Sequence, residues 1–280
     1  FGLITTNSLT MIFNRRVIET HQNDMPPLSL GFAIPDHPWV DSGDGAAVRI
    51  AMSGGRSGMH VGRLIQVIDE SESDNGEVAV TLSLKTGLIH ADLKIGANVA
   101  AARKLQANNL LSNRGVIPHG AGFIVSPDEA QQLGLGTVPD LQRHIRPYRN
   151  GKDLTGTPRG AMVIDLYGLG IDEVRSRFPA VYQWLMDRVK PERDQNKDKD
   201  LRTKWWLHRR NNEDLRVSLQ GLSHYIATGQ VAKHRLFQWL TTDILPDDKL
   251  IAIALQNALH LGVLSSKVHA DWAFATGGLL

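Results

Sequence analysis

The sequence contains no cysteine, so disulfides, thiolate nucleophiles and cysteine-based zinc sites are excluded. No apolar run is long enough for a membrane span and no segment resembles a signal peptide, so an intracellular, cytoplasmic location is the expectation. The familiar catalytic signatures are also missing. There is no G-x-S-x-G, no H-E-x-x-H, no D-x-D-x-D-G calcium loop and no G-x-x-x-x-G-K-[ST] phosphate loop, and the 11 histidines are scattered. The chain on its own presents no complete active site.

What is present is length, an apolar content sufficient for a core, and unevenly placed charge. With 280 residues and 42% apolar residues, one large domain or two ordinary ones can form. The net charge of +2 conceals three blocks. Residues 1–140 hold 10 Lys/Arg against 14 Asp/Glu, residues 141–240 hold 19 against 11, and residues 241–280 hold 2 against 4. The positive charge is thus concentrated in one hundred-residue block, where a polyanion can be held, although a solvated basic face explains any single cluster equally well.

Periodicity sets out the elements. FGLITT reads as a strand, Leu9 to Thr20 as a helix, and LSLGFAIPD and AAVRIAMSG as neighbouring antiparallel strands separated by the loop HPWVDSGDG. VGRLIQVID and EVAVTLSL alternate and are joined through Asn75-Gly76, a hairpin signal. Ala97 to Leu111 is expected to be helical, with a domain boundary near residues 105 to 115 at the Gly/Pro-rich GVIPHGAG. Beyond it come a helix at Pro127 to Leu133, a strand at Ala161 to Leu166 and a helix at Ile171 to Lys190. A charged, solvated and mobile loop PERDQNKDKD follows, then strands HYIAT, HRLFQWL and LIAIAL and a helix near Val263 to Ala275.

Four stretches carry candidate chemistry. VIDLYGLGIDEV has the strand-acid-glycine-helix order with which adenosine-cofactor sites begin; the plainer reading, a strand-turn-helix, is preferred because no second βαβ unit of the right length follows. KWWLHRR sets two tryptophans among cations, either as phosphate- and base-contacting groups or as packing anchors of a strand with solvated basic flanks. HYIATGQVAKHRLFQWL offers His224, Lys233, His234 and Arg235, either on a groove-binding face or, for the two histidines, in a buried polar network. Trp39 in HPWVDSGDG is either a packing anchor or a flat platform for a base.

Taken in order, FGLITTNSL, HPWVDSGDGAAVRIAM, IRPYRNGKDL, MVIDLYG, KWWLHRR, LSHYIATGQVAKHRLF and GVLSSKVHADWA make the chain resemble the C-terminal part of DNA adenine-N6 methyltransferases whose target-recognition domain follows the catalytic domain. The subgroup it resembles is the large single-chain restriction-modification enzymes and their methylase-only relatives. The resemblance implies an α/β fold. Residues 1–105 would be the end of a methyltransferase-type domain, its closing strands reaching about residue 55, with a β-hairpin extension. Residues 106–280 would be an α+β DNA target-recognition domain with a C-terminal helix.

In that family a glycine-rich motif binds S-adenosylmethionine and an Asn-Pro-Pro-aromatic motif holds the flipped adenine. Neither occurs here: the one Pro-Pro, Pro26-Pro27, lies between Met25 and Leu28. The resemblance therefore implies a recognition fragment, inactive alone, with no catalytic, cofactor-binding or metal-ligating residue of its own. S-adenosylmethionine would serve the intact enzyme, and double-stranded DNA and an upstream catalytic region of the same polypeptide would be the partners. It places Trp39 where an aromatic stacks on the flipped base. The DNA-contacting expectation falls on Arg146, Arg149, Lys152, Lys204, Arg209, Arg210, Arg216, Lys233, His234 and Arg235. The alternatives are a non-enzymatic nucleic-acid-binding module and a small adenosine-cofactor enzyme built on VIDLYGLG.

Overall fold

Alternating apolar residues generate the first sheet. A computed structural model describes the chain except for Ile12, 40–47, 73–77, Lys104, 232–233 and 277–280. It divides into two compact units, Phe1–Lys104 with Asp271–Leu280, and Leu105–Ala270. The first unit contains β1 (Gly2–Thr6), α1 (Arg16–Gln22), β2 (Leu28–Trp39), β3 (Val48–Ser57), β4 (Gly62–Glu72) and β5 (Val78–Gly87). These strands make one sheet in the order β1-β3-β2-β4-β5, antiparallel except where β2 runs parallel to β4. Leu30, Ala33, Ala51 and Leu64 face a small core that α1 enters with Ile18 and the chain after β5 with Ile89 and Leu93.

The antiparallel β2–β3 and β4–β5 pairs match the alternation. The Asn75-Gly76 turn lies outside the described residues, as does the loop sequence 40–47. Three expectations change. HPW is not loop: β2 continues through Trp39, which pairs with Val48. The first helix begins only at Arg16, after a short 3-10 turn at Asn7–Thr10. Ala97 to Leu111 is no α-helix but contains two 3-10 turns, Val99–Ala101 and Gln106–Asn108. Alanine there supplies propensity, yet nearly every described side chain is exposed, and an isolated short helix without a buried face is marginal.

The second unit opens with β6 (Ser112–Arg114), β7 (Ile124–Val125), α2 (Pro127–Gln132), β8 (Ile145–Arg149), α3 (Gly151–Thr155) and β9 (Met162–Ile164). It continues through α4 (Ile171–Arg177), α5 (Pro179–Arg188), α6 (Lys190–Asp194), α7 (Lys199–Thr203) and α8 (Glu213–Ser218). The last elements are β10 (His224–Gly229), β11 (Gln238–Thr241), β12 (Leu245–Pro246), β13 (Leu250–Ile253) and α9 (Ala258–Leu264); α10 (Lys267–Thr276) follows. One sheet, β11-β10-β13-β6, is antiparallel throughout; the other, β12-β8-β9-β7, is antiparallel except for β12 against β8. The larger core packs Phe123, Ile145, Val163 and Leu245 with Val181, Leu185 and Trp205. A smaller one joins Leu154 and Leu215 to Tyr225, Ala227 and Leu250. The chain is thus a mixed α/β protein with three sheets among its described residues.

Here too the sequence is subdivided more finely than periodicity suggests. The helix expected over Ile171 to Lys190 breaks at Phe178, because Pro179 has no N–H to continue the ladder and instead starts α5. The terminal helix is likewise two helices, α9 and α10. The charged stretch PERDQNKDKD is largely helical, not a mobile loop, and hides a fully buried Arg193 whose Nη2 donates to the Pro118 and Leu207 carbonyls at 2.9 and 3.1 Å.

Gly115 marks the tightest backbone approach in this unit. A Cβ there would lie 2.0 Å from the Pro246 carbonyl oxygen and 2.3 Å from that of Asp247, where Val116 N–H donates to Pro246. Gly115→Ala is expected to cost about 3 kcal/mol, the upper end for overpacking, since two backbones must separate. Urea unfolding of the variant measures it, and an unchanged midpoint would contradict this packing.

Candidate nucleic-acid interface

The sequence RPYRNGKD ends a strand and starts a short helix through its own polar side chains. The Asn150 side chain accepts from the Lys152 and Asp153 N–H groups at 3.0 and 3.2 Å, and the Asp153 carboxylate accepts from Asn150 N–H at 2.9 Å. Asp153 also takes Arg159 N–H at 2.9 Å and the Arg159 guanidinium at 2.9 to 3.3 Å. Burial opposes its charge, but these donors outweigh it and hold the carboxyl at about 2. The carboxylate faces inward, and Lys152, one position earlier, is left exposed.

A second turn, PDDK, forms between β12 and β13. Asp247 organises it: one carboxylate oxygen accepts Lys249 N–H at 2.8 Å, and the other accepts the Tyr148 hydroxyl at 2.6 Å. Burial and this acid together push the Tyr148 phenol upward. Asp247 N–H donates to Arg149 O at 2.8 Å, so the turn is fastened to the end of β8. Asp248 meets Arg210 at 3.2 Å, and Lys249 is exposed. Between the two turns and β10 lies a cleft of about 620 Å³, lined by Asn150, Gly151, Lys152, Leu154, Thr155, Gly229, Val231, His234, Leu236, Asp247 and Lys249.

Two expected contact residues, Lys152 and His234, therefore share one cleft, and Arg149 and Arg210 reach the same turn through Asp247 and Asp248. Arg149 is half-buried with an Nη1 that has no partner among the described residues. Lys204 and Arg209 are exposed on the segment after α7, and Arg235 is half-buried beyond His234. Lys233 lies outside the described residues.

Arg146 and Arg216 are placed differently. Both converge on Asp165, which is 3% exposed: Arg216 binds it through two nitrogens at 2.8 and 2.9 Å, and Arg146 approaches at 3.5 Å. Arg146 also donates to the Asp243 and Thr242 carbonyls at 2.9 and 2.6 Å. Burial would raise the Asp165 carboxyl, yet the Arg216 hydrogen bonds and charge hold it below the usual range. The acid of VIDLYGLG is thereby committed to Arg216 and Arg146. Gly168, at φ +86°, serves the turn.

The tryptophans of KWWLHRR are packing groups on an irregular turn, not a strand. Trp205 is buried edge-on to Tyr182 and Trp206, and Trp206 donates to Leu169 O at 3.0 Å. His208 is buried and bonds the Ile164 carbonyl at 2.8 Å, and burial lowers its pKa. His224 bonds Ser223 and the Gln256 carbonyl. In the first unit, Trp39 is about half exposed. Its strand end is braced by Arg49, which binds Asp36 at 2.5 Å and Glu70 at 2.7 Å. Sequence reading missed Lys249, Asp247 and Asp153; the acid-rich turn LPDDKL and the Asn-x-x-Asp spacing of NGKD were the available signals.

The Asp153 carboxyl has a folded value of about 2 against an ordinary 3.8. Its stabilising contribution is full above 3.8 and is lost as pH falls from there through about 2. Between pH 5 and 2.5 the parent chain is expected to lose more stability than Asp153→Asn, as measured by urea midpoints. Equal acid losses in the two would refute this.

No protein-family model matches the chain, and no curated protein matches it. Among solved structures, the Type IIG restriction endonuclease BpuSI aligns over 97% of this chain and 36% of its own, at 11% identity and a TM-score of 0.31, too low to support an argument. The Type IIL restriction-modification enzyme MmeI, whose structure was determined in complex with DNA, aligns over 100% of this chain at 18% identity and a TM-score of 0.70. The chain spans 36% of the MmeI chain. Its fold is accordingly that of a region of a restriction-modification enzyme.

Proposed function

We propose that the chain is the DNA-recognition part of a site-specific adenine-N6 DNA methyltransferase of the large single-chain restriction-modification type. The observation that carries this reading is the convergence of Lys152, His234 and Lys249 on one cleft, with Arg149 and Arg210 fastened to its turn, in a fold similar to a region of an enzyme whose structure was determined in complex with DNA. Arg149, Lys152, Lys204, Arg209, Arg210, Lys233, His234, Arg235 and Lys249 meet phosphates and base edges of double-stranded DNA. Arg146 and Arg216 act through Asp165, by positioning. Methyl transfer and S-adenosylmethionine belong to an upstream catalytic region of the same polypeptide, toward which Trp39 contributes a stacking face.

Two measurements test this. Affinity for duplex DNA falls steeply with salt, and Lys152→Gln and Lys249→Gln each reduce the log-log slope by about 1. Affinity that hardly changes between low and moderate salt would sink the proposal. In the full-length polypeptide, Trp39→Ala weakens the fluorescence rise of 2-aminopurine at the target adenine, and an unchanged rise would remove Trp39 from the reading.

A further inference from the structure

The cleft of the second unit has walls that groove binding does not require. Phosphate contacts need cations, and base-edge reading needs donors and acceptors; neither calls for an apolar recess. Yet Leu154 from the smaller core reaches the cleft, and Val231 and Leu236 stand beside it 61% and 48% exposed. Exposed branched side chains around a recess mark a surface that covers something apolar.

The rim carries the opposite chemistry. Lys152, Lys249 and His234 surround the recess, and neither lysine is in an ion pair among the described residues. Asp247, the acid in the lining, already has both oxygens engaged by the Tyr148 hydroxyl and Lys249 N–H. The complement of apolar walls and a cationic rim is a flat apolar body joined to an anion. An apolar peptide would leave the cations unanswered, and a phosphate alone would leave the walls bare. The volume, about 620 Å³, falls in the range of about 300–1,000 Å³ usual for small-ligand sites. The wall at Gly151 is bare backbone, where a Cβ would meet nothing within 4 Å. Polar groups for a base edge are at hand in the Asn150 amide and the Thr155 hydroxyl, whose proton goes to Gly151 O at 3.3 Å and leaves its oxygen able to accept.

We infer that this cleft binds a single nucleotide. The base lies against Leu154, Val231 and Leu236, and the phosphate lies at Lys152 and Lys249. The nucleotide comes either from DNA, as an extrahelical residue, or from solution. This reaches beyond duplex recognition, which the same cations can serve with every base stacked.

Calorimetric titration of the 280-residue chain separates the cases, with a duplex carrying one unpaired nucleotide, the same duplex fully paired, a free deoxynucleoside monophosphate and inorganic phosphate. The bulged duplex is expected to bind about tenfold more tightly than the paired one, the scale of burying part of one base against aliphatic walls. The preference collapses in Leu236→Trp, which fills the recess from a half-exposed position outside the core. Saturable binding of the monophosphate without duplex preference assigns the free nucleotide as the source; with no DNA binding at all, the cleft stands while the DNA reading falls. Equal affinity for both duplexes together with no monophosphate binding overturns the inference and leaves duplex recognition intact. Inorganic phosphate competing as well as the monophosphate also overturns it, because the base would then contribute nothing.

Discussion

One buried carboxylate, Asp165, joins parts of the second unit that the backbone alone does not join. It sits just after β9 and holds Arg216 of α8 through two hydrogen bonds and Arg146 of β8 through a third, longer one. Arg146 extends the connection to the Thr242 and Asp243 carbonyls, between β11 and β12. Tyr167 covers the Arg216 guanidinium, its ring centre 4.3 Å away. Through Arg146 the sheet containing β8 is tied to the turn that follows β11. Removing that group would leave two guanidiniums facing carbonyls without a counter-charge, the situation in which broken buried pairs cost about 3–5 kcal/mol. The pair is a constraint on arrangement more than a source of net stability, since burying three charges is itself expensive.

That constraint sorts the cations of the basic block into two kinds. Arg146 and Arg216 point inward and spend N–H groups on carbonyls or on Asp165, and the buried Arg193 gives its Nη2 to two carbonyls. Lys152, Lys204, Arg209 and Arg210 are exposed, as is Lys249 beyond the block. A charge count gives every one of them the same weight, so the excess of 19 over 11 in residues 141–240 overstates the charge available to a polyanion. Arginine is suited to the inward role because its planar fork can satisfy several acceptors at once, and lysine to the rim because its long stem keeps a single charge in water.

Strand alternation was readable because it depends on nearest neighbours: β2 against β3 and β4 against β5 follow from residues close in sequence. Trp39 was misplaced into a loop because Pro38 and the glycines after it suggest a turn, whereas pairing of Trp39 with Val48 extends the strand. The failed helix at Ala97 to Leu111 had propensity without a partner face, and partner faces are tertiary facts. The site was half visible. RPYRNGK and the segment around His234 gave two of its rim residues, but the PDDK turn reads from sequence as an ordinary acidic turn. It becomes part of a basic cleft only because Asp247 bonds Tyr148, ninety-nine residues away, and Asp248 bonds Arg210.

The arrangement separates what must stay fixed from what can change. Asp153 and Asp247 shape their turns by accepting backbone N–H groups and side-chain donors, and Asp165 locks α8 to β8. None of these bonds involves the side chains of Lys152, His234 or Lys249. Substitution at those three positions alters the chemistry presented to a ligand while leaving every scaffold acid with its partners. Exposed positions away from packing and hydrogen-bond networks usually move stability by less than about 0.5 kcal/mol, whereas the acids below them act through buried charge. In the proposed reading, a recognition surface built this way can drift from one DNA site to another by changes on the turns, because the bonds that hold the turns do not use the side chains that change.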